Sequence, residues 1–336
     1  KGASKKCCAI KKRNQPDMVA INRIVFMGTP AFAVPSLKAL LDRGENVVCV
    51  VTQPDRPKGR GRKIMMPPVK ELALKASIPV LQPESIRGGE FLAELRQYNP
   101  DIIGLTAYGN ILPENIINLP PLGTINVHGS LLPKYRGAAP IQWALINGET
   151  ETGITIMQMD KGVDTGDILL QEKLPIGPED TAGSLSGKLA ELGGKALGAA
   201  LDLLRLDRLN PTQQNNNLAS LAPLLNKEDG LVNWLHSAVQ ISCQIRGLDP
   251  WPTTYTTLSG KRLRLFSPEV ADKSLCLSCS ISEPGIICTA NRDGLLITTG
   301  DGCLLIKEIQ AEGSRRMSVE AFLSGHTIQS GTLLGQ

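Results

Sequence analysis

The residues best suited to chemistry stand close together in one segment, where a single valine separates Asn126 from His128. They lie at the end of the apolar run TINV, 124–127, which is typical of a buried strand, so their side chains share one face. An amide and a protonated imidazole can both donate hydrogen bonds to an oxygen that gains negative charge. The spacing predicts acyl transfer through a tetrahedral oxyanion, with a packed structural histidine as the alternative.

A third candidate, Asp164, lies in the loop MDKGVDTGD, 159–167, between two predicted strands. A carboxylate beside the imidazole would hold the ring in place and favour its charged form. This role requires that the fold bring Asp164 to His128. Otherwise the carboxylate satisfies backbone donors of a turn, which is the role expected of Asp160 and Asp167.

Neither a metal ion nor a covalent nucleophile is needed for this chemistry, because an attacking amine is itself the nucleophile. Of the eight cysteines, only Cys276 and Cys279 form a C-x-x-C pair. A structural zinc site needs four ligands, usually from two such pairs, so we predict no metal. No apolar run approaches the roughly 20 residues that cross a bilayer, so we predict no membrane span.

These side chains must be positioned by alternating strands and helices. Buried parallel strands are predicted at 24–27, 47–51, 102–106 and 124–127, with helices near 35–43, 68–77, 90–98 and 138–147. Strands at 153–159 and 168–170 and a helix at 181–206 follow. This order predicts a doubly wound, Rossmann-like α/β sheet, which binds ligands at the carboxyl ends of its strands. Gly28 lacks a G-x-G-x-x-G context, so no dinucleotide site is expected.

Composition divides the chain into four parts. Residues 1–20 form a basic extension that we expect to be disordered, and residues 21–208 form the catalytic domain. Residues 209–223 are polar and without apolar periodicity, as in a linker. Residues 224–336 begin with a predicted helix at 229–247 and continue as short β runs separated by turns. This spacing indicates a smaller β-barrel of the oligonucleotide-binding (OB-like) type, with a sandwich as the alternative.

A basic loop, TQPDRPKGRGRK at 52–63, suggests a nucleic-acid partner. It carries one acidic side chain, Asp55, and five basic ones: Arg56, Lys58, Arg60, Arg62 and Lys63. Basic side chains spaced by glycine and proline suit binding to an RNA backbone. The alternative is a turn whose charged side chains are only solvated. Trp251 and Tyr255 could stack on bases, but we expect Trp251 to pack in the core.

Several segments resemble the methionyl-tRNA formyltransferases, from about Asn22 to the C-terminal region: MGTPAFAVPSL, AYGNILP, INVHGSLLPKYRGAAPIQWAL, GVDTGDIL and GLDPWPTTY. The resemblance implies that Asn126, His128 and Asp164 form the catalytic centre. It places four residues at the folate site: Ser130, Leu131, Leu132 and Pro133. It also implies that the basic loop inserts against the acceptor end of tRNA and that the C-terminal domain positions the tRNA.

The implied reaction moves the formyl group of 10-formyltetrahydrofolate to the methionine amino group of initiator methionyl-tRNA, giving N-formylmethionyl-tRNA for translation initiation. We expect a monomer in the bacterial cytoplasm, with organellar import of a nuclear-encoded form left open. The motif N-x-H followed by S-L-L-P occurs in several formyl-tetrahydrofolate enzymes. Three alternatives therefore stay open: another amine such as glycinamide ribonucleotide, water as acceptor in hydrolysis of the donor, and a non-catalytic RNA-binding protein.

Overall fold

The computed structural model describes residues 19–58, 63–272, 274 and 283–335. In chain order, the first domain contains β1 (Ile24–Gly28), α1 (Val34–Asp42), β2 (Val47–Val51), β3 (Arg56–Lys58), β4 (Lys63–Met65), α2 (Pro68–Lys75), β5 (Val80–Leu81), α3 (Gly89–Gln97), β6 (Ile102–Thr106), α4 (Glu114–Ile117), β7 (Thr124–His128), α5 (Pro140–Ile146), β8 (Glu151–Gln158), β9 (Ile168–Pro175) and α6 (Ala182–Arg205).

Seven of these strands form one sheet in the order β5-β2-β1-β6-β7-β8-β9. The strands from β5 to β7 are parallel, whereas β8 runs antiparallel to β7 and β9. The chain builds outward from β1 to β5 and then returns to place β6 on the other side of β1. Ligands bind at such a switch point in doubly wound sheets. The predicted α/β fold is confirmed, with a sheet that is mixed at one edge.

The first strand shows why its apolar run is unbroken. Ile24 and Phe26 pack into the core beneath α1 and α6. Val25 and Met27 point to the opposite face and pack into the core beneath α3 and α4. Because helices cover both faces of the sheet, every position of the strand is buried and apolar.

The predicted helix at 229–247 is wrong in its first half. The helix α7 occupies Ala238–Leu248, and only a short 3-10 turn, Glu228–Gly230, lies before it. The Ser237 side chain accepts from the backbone N–H of Gln240, whose side chain accepts in return from the Ser237 N–H. This capping box satisfies free donors at the helix start and sets the boundary there.

The second domain adds β10 (Thr254–Leu258), β11 (Lys261–Val270), β12 (Ile287–Asn291), β13 (Gly294–Thr298), β14 (Cys303–Ala311), β15 (Met317–Ser318) and α8 (Val319–Leu323). The strands pair antiparallel in the order β10-β11-β14-β13-β12, with β15 beside β14. Ser259 and Gly260 join β10 to β11 with positive φ angles of 51° and 74°, as a two-residue hairpin turn requires. The described strands form a single sheet, which favours the barrel prediction over a two-sheet sandwich.

The segment between the domains, residues 209–223, lies along the first domain rather than free in solvent. The Arg136 N–H donates to the Ser220 carbonyl at 2.8 Å, and the Ala222 N–H donates back to the Arg136 carbonyl at 2.7 Å. Thr212 and Ile168 exchange two backbone hydrogen bonds, each of 2.9 Å. The connection therefore satisfies its own backbone groups against the domain that carries the candidate residues.

Candidate active site

A cavity of about 630 Å³ lies at the carboxyl ends of β6 and β7. Its lining includes Asn126, His128 and Asp164, so the fold brings the three predicted catalytic residues to one site. Much of the remaining wall is apolar and includes Phe32, Leu105, Leu112, Ile141 and Val163. A largely apolar cavity with a few convergent polar groups is the usual form of a small-molecule site.

The imidazole of His128 is buried at the end of β7, with 5% of the residue exposed. Its Nε2 lies 3.0 Å from the carbonyl oxygen of Tyr135. A carbonyl can only accept, so Nε2 carries a hydrogen and donates it. The other ring nitrogen, Nδ1, lies 3.6 Å from Oδ2 of Asp164, which is an ion-pair distance and longer than a hydrogen bond. Nδ1 is therefore the nitrogen left for proton transfer.

Asp164 is held in a left-handed backbone conformation, with a φ of 52°. Its Oδ2 accepts a hydrogen bond of 2.9 Å from the N–H of Gly137. Gly137 has a φ of 123°, and a Cβ built there would lie 2.6 Å from the carbonyl oxygen of Ala222. Only glycine fits this position, so the donor that holds the Asp164 carboxylate depends on it.

The amide of Asn126 is buried beside His128, with 7% of the residue exposed. Its Oδ1 has no hydrogen-bond partner among the described residues. An unpaired buried acceptor costs roughly 1–3 kcal/mol, which a ligand donor would recover. The Nδ2 group remains a donor, so the two ends of one amide can accept from an amine and donate to an oxyanion.

The predicted folate residues, 130–133, form the turn after β7 and do not line the cavity described above. The Ser130 hydroxyl donates to the carbonyl of Lys134 at 2.7 Å. The Leu132 carbonyl accepts from Nε2 of Gln171 at 2.9 Å. These contacts stabilise the turn, and a folate-binding role for the four residues stays a prediction.

The basic loop begins and ends in a hairpin, in which β3 pairs antiparallel with β4. Arg56 is exposed on β3, Lys58 ends that strand, and Lys63 begins β4. Arg60 and Arg62 lie outside the described residues.

An ion pair fixes the start of the hairpin to the first domain. Lys70 Nζ lies 2.8 Å from Asp55 Oδ2 and also donates to Asp55 Oδ1 at 2.9 Å. The hydrogen bond from Lys70, followed by one from Gln82, lowers the pKa of the Asp55 carboxyl below its ordinary value. The charged carboxylate therefore fixes the base of the hairpin next to α2.

The expected core position of Trp251 is wrong, because 52% of this residue is exposed. Tyr255 is half-buried, and the guanidinium carbon of Arg262 lies 4.2 Å from the centre of its ring. The tryptophan lies between two prolines, each preceded by a cis peptide bond. This surface offers aromatic and cationic groups, and stacking on bases stays a prediction for it.

Among the described residues, no group of three or more His, Cys, Asp or Glu side chains is arranged to hold a metal ion. Cys276 and Cys279, the pair considered for zinc, lie outside those residues. In the same part of the chain, each helix is too short or too polar to span a bilayer.

Sequence reasoning missed the groups that hold His128 and Asp164 in place. Tyr135 acts through its backbone carbonyl, which no side-chain pattern reveals. Gln214 donates to the carbonyl oxygens of Asp164 and Gly166, although it lies in the polar segment predicted as a linker. No signal in the sequence separates Gln214 from the exposed residues around it.

Comparisons with known proteins match both domains. Residues 22–201 match the family model described as Formyl transferase, and residues 224–327 match the Formyl transferase C-terminal domain. The chain is 55% identical over 312 residues to the methionyl-tRNA formyltransferase of Desulfotalea psychrophila, covering 93% of this chain and 95% of that protein. It is 50% identical over 314 residues to the methionyl-tRNA formyltransferase of Geobacter sulfurreducens, covering 94% and 97%.

A solved structure shows the same fold at lower sequence similarity. It is an N-formyltransferase from Helicobacter canadensis, in complex with folinic acid and dTDP-3-aminofucose. The TM-score is 0.64 at 19% identity, and the match covers 89% of this chain and all of that chain. At this identity the likeness supports the architecture and not the acceptor.

Proposed function

The chain belongs to the methionyl-tRNA formyltransferase family, and from this membership we propose that it transfers a formyl group from 10-formyltetrahydrofolate to the amino group of methionine on initiator methionyl-tRNA. The product is N-formylmethionyl-tRNA. The mechanism rests on one observation: Asn126, His128 and Asp164 line the same cavity, near the switch point of the sheet.

The reaction begins when the methionine amine attacks the formyl carbon. A carbon–nitrogen bond forms and the carbonyl electrons move onto oxygen, giving a tetrahedral oxyanion. Nδ2 of Asn126 donates to this oxyanion, and one such donor is worth roughly 2.7–4 kcal/mol of transition-state stabilisation. The intermediate then collapses, the bond to N10 of the folate breaks, and the formyl group remains on the amine.

His128 moves the proton that this exchange requires. The attacking amine loses a proton, the departing folate nitrogen gains one, and Nδ1 of His128 can accept the first and return the second. The imidazole is charged between these steps. Asp164 places a carboxylate oxygen 3.6 Å from Nδ1, beside this positive charge.

The cavity supplies the site for the formyl donor. Its volume of about 630 Å³ lies within the range of ligand sites, and its apolar wall suits the flat ring system of a folate. We place the formyl-bearing end of the donor at Asn126 and His128. The turn at 130–133 directly follows β7, the strand that carries both residues.

Acceptance of a tRNA would use the basic hairpin and the second domain. The loop at 52–63 carries five basic side chains and one acidic one, and Arg56 is exposed. A small-molecule acceptor would leave this charge without a role. We propose a monomer, in which all three catalytic candidates come from one chain.

A formyl-transfer assay with 10-formyltetrahydrofolate tests the function. Three acceptors are compared: initiator tRNA charged with methionine, glycinamide ribonucleotide, and water alone. We expect formylation of the charged tRNA and none of the small amine. Preferential transfer to glycinamide ribonucleotide, or release of formate without an acceptor, would replace this proposal with one of its alternatives. Binding of tRNA without any transfer would indicate a non-catalytic RNA-binding protein.

A further inference from the structure

One side-chain amide of the segment between the domains is buried against the loop at 159–167, which carries Asp164. Gln214 is 6% exposed, although its neighbours Gln213 and Asn215 are exposed. Its Nε2 donates to the carbonyl oxygen of Asp164 at 2.9 Å and to that of Gly166 at 2.7 Å. Both hydrogens of the amide are therefore used to hold the backbone of the loop that presents the Asp164 carboxylate.

A buried arginine fixes the orientation of that amide. Nε and Nη2 of Arg136 both donate to Oε1 of Gln214, at 3.0 and 2.7 Å. Arg136 is 9% exposed, and Nη2 also donates to Oδ1 of Asn216 at 2.9 Å. Because Oε1 is held by the guanidinium, Nε2 must face the two carbonyls of the loop.

The loop needs this support because its geometry is tight. Asp164 has a φ of 52°, a conformation that costs free energy for a residue with a side chain. A Cβ at Gly166 would lie 1.8 Å from the carbonyl oxygen of Gln158, so the chain passes very close to β8. Loss of the Gln214 donors would leave two carbonyls of a strained, half-buried turn without protein partners.

The same segment also supports the other side of His128. The Ser220 hydroxyl accepts from the backbone N–H of Tyr135 at 2.9 Å. The Tyr135 carbonyl in turn accepts from Nε2 of His128. One connecting segment thus reaches both neighbours of the imidazole, with Gln214 on the Asp164 side and Ser220 on the Tyr135 side.

We propose that Gln214 is a positioning residue, which sets the distance between the Asp164 carboxylate and Nδ1 of His128 by holding the Asp164 and Gly166 carbonyls. This proposal rests on the proposed function, because its main readout is formyl transfer. It assigns to the interdomain segment a part in the chemistry of the first domain.

The test uses Gln214→Glu in the full chain, with Gln213→Glu as the matched control. The glutamate keeps the size of the side chain and can still accept from Arg136, but it presents oxygen instead of N–H to the loop carbonyls. We expect kcat to fall by about tenfold to a hundredfold, since displacement of a catalytic group by about 1 Å has an effect of that order. The KM values for donor and tRNA should stay within about twofold, because Gln214 does not itself line the cavity and acts on Asp164 only through the backbone.

A double-mutant cycle separates positioning from general stability. If Gln214 acts through Asp164, then Gln214→Glu should slow an Asp164→Asn enzyme far less than it slows the wild type. Equal slowing in both backgrounds would overturn the proposal, as would a Gln214→Glu enzyme as fast as Gln213→Glu. If Gln214→Glu does not fold, Gln214→Met takes its place in the same cycle, with the same outcomes. A wild-type chain that transfers no formyl group would instead reject the proposed function.

Discussion

His128 donates its Nε2–H to the carbonyl oxygen of Tyr135 at 3.0 Å, and this bond decides which ring nitrogen is free to react. Because a carbonyl cannot donate, Nε2 keeps its hydrogen whether the ring is neutral or charged. Proton exchange therefore falls to Nδ1, on the side of Asp164. Replacing His128 by glutamine or by asparagine should therefore have different structural effects. A glutamine amide can reach the place of Nε2, whereas an asparagine amide reaches only the place of Nδ1.

The first prediction uses this asymmetry. His128→Gln can preserve the hydrogen bond to Tyr135 but has no group that gains and loses a proton near neutral pH. We expect a folded enzyme with kcat reduced at least about a hundredfold, the lower range for a lost acid–base group. Thermal unfolding and single-turnover transfer measure the two effects. His236→Gln, at an exposed histidine of the second domain, should match the wild type in both.

The second prediction concerns the unpaired amide. Asn126→Ala removes the oxyanion donor, so kcat should fall by about a hundredfold to a thousandfold. Affinity for the formyl donor, measured by calorimetry, should change little because this contact strengthens mainly in the transition state. Asn118→Ala, at an exposed asparagine before β7, is the control. A kcat for Asn126→Ala close to that of the wild type would remove this residue from the mechanism.

The third prediction isolates the charge of Asp164. Asp164→Asn keeps an oxygen for the Gly137 N–H and suits the positive φ of 52°, because asparagine tolerates this conformation. The fold should remain, while transfer slows by at least about tenfold since the charged imidazole loses its counter-ion. Asp207→Asn is a matched control, with the same φ of 52° at an exposed site. Equal rates for the two variants would contradict the role of the carboxylate.

The central strands β1, β2, β6 and β7 could be predicted closely from the sequence because they are buried on both faces. The predicted strands at 47–51 and 102–106 coincide with β2 and β6. The three catalytic candidates could be predicted to meet only through a resemblance, since Asp164 reaches His128 across a loop whose path no local pattern specifies. Periodicity also extended helix α7 too far, because apolar residues before Ser237 pack without forming a helix.

Burial of polar side chains was harder to predict. Gln214 is buried and Gln213 is exposed, although both stand in the same run of polar residues. Trp251 shows the opposite error, since its place between two prolines favoured the core and the structure leaves about half of it exposed. In both cases the tertiary path of the chain, and not residue type, determines exposure.

The fourth prediction concerns acid stability. Glu45 forms a two-pronged contact with Arg205 at the end of α6, and 7% of its side chain is exposed. The hydrogen bond from Arg205 is the main cause that lowers the pKa of Glu45. A lowered folded-state pKa contributes stability that is complete above the unfolded value and is lost as the pH falls through the folded value.

Glu45→Gln should therefore reduce the free energy of unfolding near neutral pH and flatten its decline below about pH 4.3, the ordinary pKa of glutamate. Urea unfolding at a series of pH values measures the free energy of unfolding and its decline in acid. A range from about pH 3 to about pH 7 covers the titration of carboxylates. Glu90→Gln, at an exposed position of α3, serves as the control. An acid limb as steep in Glu45→Gln as in Glu90→Gln would show that this ion pair does not contribute to the pH dependence.

The last prediction separates RNA recognition from chemistry at the basic loop. Glutamine replaces all five basic side chains: Arg56, Lys58, Arg60, Arg62 and Lys63. For each phosphate that the variant no longer binds, the slope of log affinity for tRNA against log salt should flatten by about 0.7–0.9. Donor affinity should hold, because Arg56, the one of the five whose side chain the structure describes, is exposed and does not line the cavity. Arg87→Gln, an exposed arginine before α3, controls for a change in surface charge.

Filter binding across a salt series gives the slopes. An unchanged slope in the fivefold variant would make the loop a solvated turn and reopen a small amine as the acceptor.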